Sequence, residues 1–175
     1  MTDTNSDYTP TIYLAGPVQH ADDGGHDWRD DVIAQYGDQL DFLNPLDKYD
    51  TPSTEVEWLQ PGEVPSDYPD DVEVLSPSEI VSADKAMIES SDVVLIGLRD
   101  SVPMYGTPRE HEYAASHLAM RVVVWHTEDM VLSPWTITGA SYLSTDLHEC
   151  MEHIITNEVK DGIRADVVET LVESL

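Results

Sequence analysis

The chain has 175 residues, enough for one domain with a genuine core and no need of disulfide or metal staples. Eight lysines and arginines stand against 35 aspartates and glutamates, and the net charge of −27 argues against nucleic-acid binding through phosphate contacts. The acids are spread from Asp22, Asp23, Asp30 and Asp31 through Asp70 and Asp71 to Glu128, Asp129, Glu149 and Glu152, so the whole surface is expected to be anionic.

Residues 1–10, MTDTNSDYTP, are polar and acidic and read as a flexible terminus with no secretory leader. TIYLAG, 11–16, is a short apolar strand ended by Gly16-Pro17. After the polar loop VQHADDGG, the segment HDWRDDVIAQY reads as an amphipathic helix that turns Trp28, Val32 and Ile33 toward a sheet. DFLNP, 41–45, is a second strand stopped by its proline. Residues 46–75 hold four prolines, many acids, and Tyr49, Trp58 and Tyr68; such an irregular segment is either a lid over a site or a surface insertion.

From Ser76 the pattern sharpens. Ser76-Pro77-Ser78-Glu79 offers a cap and a first-position proline, and Ile80, Ala83, Ala86, Met87 and Ile88 mark the apolar stripe of a helix that runs to Ser91. DVVLIGL, 92–98, is a continuous apolar run of the kind shown by a central parallel strand covered on both faces. A polar turn over 99–106 leads to a helix over 107–119, where Thr107 and Glu110 read as a capping box around Pro108 at the first helical position. RVVVWH, 121–126, is a fourth strand, and a fifth is expected near 140–143. Ser144 or Thr145 then caps DLHECMEHIIT, whose Cys150 is the single cysteine; no intrachain disulfide is possible and a reducing compartment fits. A last amphipathic helix is read over 158–175, with Ile163, Val167, Val168, Leu171 and Leu175.

Alternating strands and helices with right-handed crossovers predict an α/β protein: a doubly wound, mostly parallel five-stranded sheet in a flavodoxin- or Rossmann-like three-layer sandwich over residues 11–157. No apolar run approaches membrane-spanning length, so no membrane contact is expected and the cytoplasm is the expected compartment. HEYAASH, 111–117, departs from the zincin pattern because His111 and His117 are six apart and point different ways, and no metal or cofactor is expected. In this fold the carboxyl ends of the strands share one edge, where the ligand crevice lies. Strand one delivers Tyr13 and Gly16-Pro17 there, and strand three delivers Arg99 to Tyr105 and then Glu110. Glu110 is either a helix cap or a carboxylate nucleophile. Asp84, on the helix before strand three, either faces solvent or projects toward the crevice.

Four segments in this order carry a resemblance: IYLAGP at 12–17, WRDD at 28–31 with LNPL at 43–46, ADKAMIESSDVVLIGL at 83–98, and GTPREHEYA at 106–114. Together they resemble the nucleoside 2-deoxyribosyltransferase family and its deoxynucleotide N-hydrolase relatives, over residues 11 to about 126 with a weaker tail to about 156. The resemblance implies cleavage of the N-glycosidic bond of 2′-deoxynucleosides, with the sugar passed to another nucleobase or to water. It implies Glu110 as the nucleophile, Tyr13 as the hydroxyl that hydrogen-bonds it, and Asp84 as the acid that meets the sugar and moves a proton to the base. Gly16 and Pro17 belong to the turn lining the pocket, and Gly106 and Thr107 open the G-x-x-x-E segment. Met104 stands where the transferases often carry an acid for the base, Asp100 is the nearest acid on that loop, and Glu112 stands where a glycine is usual. The implied partners are 2′-deoxynucleosides and free nucleobases, in a homo-oligomer whose neighbouring subunit completes the pocket.

The chemistry suits these residue types. Leaving of a base from C1′ passes through an oxocarbenium-like state that a carboxylate stabilises and then traps, as in retaining glycosidases. A second acid protonates the departing base. The loop VQHADDGG holds no cation before Arg29, which favours an uncharged nucleoside, while Ser101, Thr107 and backbone amides are the donors available to a phosphate. Two alternatives stay open, a 2′-deoxynucleoside 5′-monophosphate N-hydrolase and a non-catalytic nucleotide-binding or acidic interaction module on the same fold. The dispersed acid points to the salt-rich cytoplasm of an extreme halophile, because self-repulsion is screened once the Debye length falls to about 3 Å at 1 M salt.

Overall fold

In the computed structural model, which describes residues 9–18, 20–48 and 76–158, the apolar run Val93–Leu98 forms strand β3 with all six residues buried. A strand without alternation must be covered on both faces, and β3 holds the middle of the sheet. β1 (Thr11–Ala15) lies on one side of it and β4 (Arg121–His126) on the other, with β2 (Asp41–Leu43) and β5 (Tyr142–Ser144) at the edges. All pairings are parallel, and the order β2-β1-β3-β4-β5 is the flavodoxin-like one, which reverses direction between β1 and β3.

The helices are α1 (Asp27–Tyr36), α2 (Pro77–Glu89), α3 (Thr107–Glu112), α4 (Pro134–Gly139) and α5 (Leu147–His153). Successive side chains of a strand point to opposite faces, so the sheet sorts its apolar residues into two cores. On one face Ile12, Leu14, Val93, Leu95 and Val123 meet Trp28, Val32 and Tyr36 of α1 and Cys150 and Met151 of α5. On the other Tyr13, Ala15, Val94, Ile96 and Val124 meet Ile88 of α2 and Ala114 just beyond α3. This is the three-layer α/β sandwich, and each fully buried Val, Leu or Ile contributes roughly 1.5–3 kcal/mol to it.

Local expectations are corrected at several points. Thr107 does not cap α3: Gly106 takes that place with helical dihedrals, no side chain caps the helix, and Thr107 is a buried first helical residue with Pro108 second. Because Gly106 is already helical, the Thr107 hydroxyl lies inside the first turn rather than ahead of it. The same local pattern does form a reciprocal capping box at α2, where the Ser76 amide donates to Glu79 Oε2 at 2.8 Å and the Glu79 amide to Ser76 Oγ at 3.4 Å. Within the stripe of α2, Ile88 is buried but Ala86 is exposed.

The single helix expected over 107–119 is interrupted. α3 ends at Glu112, and Tyr113–His117 widens into a π-helical turn with the Leu118 amide bonded to the Tyr113 carbonyl. Ala119, at φ 52°, follows in the left-handed region. Asp146, not Ser144 or Thr145, caps α5, because its carboxylate accepts from the amides of both His148 and Glu149, while Ser144 Oγ accepts from the Asp146 amide. α4 was not expected. Its signal was the pair Ser133-Pro134, the same cap and proline that open α2, and Ser133 Oγ accepts from the Thr136 amide at 3.2 Å. Pro45–Lys48 forms a 3-10 turn, so residues 46–48 of the segment expected to be irregular are regular. The lid expected within 46–75 lies outside the described residues from 49 on, as do residues 1–8 of the flexible terminus expected over 1–10 and residues 159–175 of the last helix expected over 158–175.

Candidate active site

The connections leaving β1 and β3 depart to opposite faces of the sheet, and the crevice between them is where this strand order offers a ligand site. Tyr13, fully buried, points from β1 to the face covered by α2 and α3, and its hydroxyl donates to Glu110 Oε1 at 2.6 Å. A hydroxyl that close to a carboxylate makes a charge-assisted bond. Burial, then the Glu110 and Asp84 carboxylates, then that hydrogen bond drive the Tyr13 phenol far above its ordinary range, opposed by Arg29; Tyr13 is a neutral donor. Asp84, half-buried on α2, therefore lies within electrostatic reach of the same hydroxyl. The structure joins Tyr13 of β1 to Glu110 of α3, with Asp84 of α2 near enough to act on the same hydroxyl electrostatically.

Arg29 is a buried charge beside this edge to which the sequence pattern assigned no place in the site. Its signal was the spacing of Arg29, Val32, Ile33 and Tyr36, which sets an arginine on the apolar stripe of α1. Arg29 is completely buried; Nε donates to the Leu14 carbonyl at 3.1 Å, Nη1 to Gly25 at 2.5 Å and Nη2 to Gly16 at 3.0 Å. Its guanidinium stands 4.7 Å from the Trp28 ring centroid. Two glycines make room for it. A Cβ at Gly16 would lie 3.2 Å from Nη2, and one at Gly25, which has φ +82°, would lie 2.6 Å from Nη1. Burial brings the Arg29 pKa down to about 10, with Glu110 the strongest group opposing the fall, so the guanidinium stays charged at neutral pH.

The two loops beside the crevice are tied to each other. Arg99, just after β3, donates to Asp23 Oδ1 at 2.9 Å, and Asp23 also accepts from the amides of Gly25 and Asp27. Burial works against the Asp23 carboxylate, but the bonds from Arg99 and the backbone win and hold its pKa below the ordinary value. The rings of His20 and Tyr105 meet edge-on with centroids 5.7 Å apart.

The other expected site residues are distributed around this centre. Pro17 is buried and Gly16 half-buried in the turn after β1, Thr107 is buried at the head of α3, and Gly106 is exposed with open space about its Cα. Met104 packs against the apolar core shared by β3 and β4. Asp100 is exposed; its carboxylate accepts from Ser101 and its amide donates to Thr127 beyond β4, so its bonds do not run to the Tyr13–Glu110 pair. His111, next to Glu110, is buried with Nε2 lacking a hydrogen-bond partner. Among the described residues no group of three or more His, Cys, Asp or Glu side chains is placed to hold a metal ion, and no helix is long and apolar enough to cross a membrane.

Fold and site together define a flavodoxin-like α/β protein with a tyrosine-bonded carboxylate at the reversal of its strand order. Among solved structures the chain is similar to a 2-deoxyribosyltransferase from Bacillus psychrosaccharolyticus, with a TM-score of 0.58 and 15% identity over 79% of this chain and 88% of that one. It is also similar to a 2-deoxyribosyltransferase from Leishmania mexicana, with a TM-score of 0.55 and 17% identity over 85% of this chain and 98% of that one. At such identities the likeness is one of fold. No protein-family model matches the sequence, and no curated protein matches it.

Proposed function

We propose that the protein cleaves the N-glycosidic bond of 2′-deoxynucleosides through a covalent deoxyribosyl ester on Glu110 and passes the sugar to another nucleobase or to water. The observation that carries this reading is the 2.6 Å bond from the buried Tyr13 hydroxyl to Glu110 Oε1 at the edge where the strand order reverses. In the first step the Glu110 carboxylate attacks C1′, the C1′–N bond breaks with its electron pair going to the base, and Asp84 hands that base a proton. In the second, an acceptor base or a water attacks C1′, the ester bond breaks back to the carboxylate, and the proton returns to Asp84. Two inversions at C1′ retain the β configuration. Tyr13, held neutral, fixes the carboxylate's orientation and accepts no proton from it. Gly16, Pro17, Gly106 and Thr107 supply the walls, with Met104 and Asp100 on the loop assigned to the base side.

The two alternative substrates differ in one charged group. Arg29 is engaged by three backbone carbonyls and Arg99 by Asp23, which supports an uncharged nucleoside over a 5′-monophosphate. Homo-oligomerisation, implied by the resemblance, and a salt-rich cytoplasm, favoured by the net charge of −27, belong to the same reading and are checked by sizing the protein in molar salt.

The test is incubation in molar salt with deoxyadenosine or thymidine, with and without a second base, and separation of the products. A new nucleoside formed only with the second base supports transfer, and free base alone supports hydrolysis. Equal or faster release of base from the 5′-monophosphates moves the assignment to the N-hydrolase. Intact substrates throughout would leave a non-catalytic binding module.

A further inference from the structure

The loop between Ala15 and α1 and the loop between Leu98 and α3 flank the crevice, and they meet at two points. One is the bond from Arg99 to Asp23, which pairs a cation with an acid. The other joins two rings, His20 and Tyr105, whose planes stand 76° apart. That second contact does little for the fold. Tyr105 is 75% exposed and His20 is exposed as well, and among the described residues neither side chain makes a hydrogen bond or an ion pair. The loop after β3 turns Met104 inward against the core of β3 and β4 and leaves Tyr105 outside. Asp100, on the same loop, is bonded to Ser101 and Thr127. Gly106, next to Tyr105, has open space where a Cβ would stand. An edge-on pair covers at most one face of each ring, so Tyr105 keeps a clear aromatic face with room beside it.

We infer that Tyr105, steadied by His20, is the surface on which the nucleobase of the substrate stacks. This deepens the function proposed above and rests on it. Every nucleobase offers a flat π-face, and stacking on an aromatic side chain accepts any of them. Tyr105 and Glu110 lie on either side of the start of α3, less than two helical turns of about 5.4 Å apart along the chain. A nucleoside bridges such a span with C1′ at the carboxylate and its base against the ring. The bond from Arg99 to Asp23 ties the same two loops, so the ring pair is set before the substrate arrives. Stacking grows with ring area, which makes this surface favour purines over pyrimidines. The base stacks both before and after the C1′–N bond breaks, so the ring contributes to binding more than to the chemical step.

The test titrates free adenine onto the protein in molar salt and follows the ring protons of Tyr105 and His20 by NMR, with the signals assigned through Tyr105→Phe and His20→Ala. Both rings should shift as adenine binds. The adenine Kd should rise about tenfold in Tyr105→Ala and stay near wild type in Tyr105→Phe, which keeps the ring. His20→Ala should weaken adenine by a smaller factor, and a wild-type Kd there would remove His20 from the role. With deoxyadenosine the loss in Tyr105→Ala should fall on KM, with kcat reduced far less, and it should be smaller with thymidine. Tyr105 is exposed, so its replacement leaves the core intact. Adenine that binds Tyr105→Ala as tightly as wild type, that moves neither ring, or that fails to bind the wild type overturns the inference. So does a Tyr105→Phe as weak as Tyr105→Ala, because the hydroxyl and not the ring would then be the contact. The adenine titration needs no turnover, so a wild type that binds adenine through these rings but cleaves no nucleoside would refute the proposed function and leave the stacking surface standing.

Discussion

Tyr13 and Glu110 stand 97 residues apart along the chain and are joined by a 2.6 Å hydrogen bond. β1 carries the donor and the helix after β3 carries the acceptor, so the bond exists only when β1 and β3 pair in the register that sets Tyr13 beside Val94. It is also the place where a structural and a chemical role for one glutamate come apart.

Glu110→Gln leaves an amide oxygen to which Tyr13 can still donate, so stability should fall by no more than about 1 kcal/mol. Turnover of a deoxynucleoside should fall by orders of magnitude, because a neutral amide cannot trap the sugar at C1′. A 2-fluoro-2-deoxyarabinosyl nucleoside should label the wild type on the peptide 106–117, seen by mass spectrometry. Wild-type turnover in the variant, with no adduct on the parent, would leave Glu110 as a hydrogen-bond acceptor and no more.

Gly139→Ala tests how tightly α4 is docked on α3. The new Cβ would lie 2.3 Å from His111 Cε1 and 2.8 Å from Nε2, and that ring is buried. Either the imidazole or the end of α4 must move, at a cost of about 1–3 kcal/mol. Urea melts in molar salt should show the loss, and turnover should drop with it because His111 adjoins Glu110. An unchanged midpoint would mean that α4 yields freely.

Acid should weaken the fold through His111 before the carboxylates titrate. Burial, opposed by Glu112 and the Thr136 backbone, holds this imidazole below its ordinary 6.5, so the native state binds the proton less readily than the unfolded chain. Between the two pKa values the unfolded chain carries more protons, and stability rises with pH. The contribution is therefore complete above 6.5 and is lost as pH falls through the native value. Urea midpoints of the wild type should decline from about pH 7.5 to about pH 5.5, and His111→Gln should show a flatter line over that window. Parallel lines for the two proteins would exclude His111 as the source.

Lowering salt should unfold the protein. From 1 M to 0.01 M the screening length grows from about 3 Å to about 30 Å, and a net charge of −27 then repels itself across the whole molecule. The helical circular dichroism signal should fall on dilution into millimolar salt and return when salt is restored. A spectrum constant over that range would count against adaptation to a salt-rich cytoplasm.

Some of this was plain in the linear chain because its cause is local or compositional. VVLIGL and RVVVWH have too little polarity for one-sided strands, so their place in the middle of a parallel sheet follows from burial alone. Ser76 and Glu79 close their capping box within four residues, so its cause is local. The placing of Tyr13 and Glu110 at one edge was legible from topology, since strand ends and helix starts share it, whereas the pattern left Asp84, inside α2, between solvent and crevice and only the resemblance set it in the site.

Thr107 and Glu110 repeat the Ser76–Glu79 pattern and came out otherwise. A helical Gly106 starts α3 one residue early, and a hydroxyl from β1 takes the glutamate. Arg29 is a charged residue on an apolar stripe until the carbonyls of Leu14, Gly16 and Gly25 converge on it, and only then can it be buried. The sequence by itself determined which segments must be covered and which acids lie near the strand ends. Tertiary structure decided which donor each acid meets, because hydrogen bonds require contact within about 3 Å and unscreened charge coupling requires exclusion of water, and neither is written in the spacing of neighbouring residues.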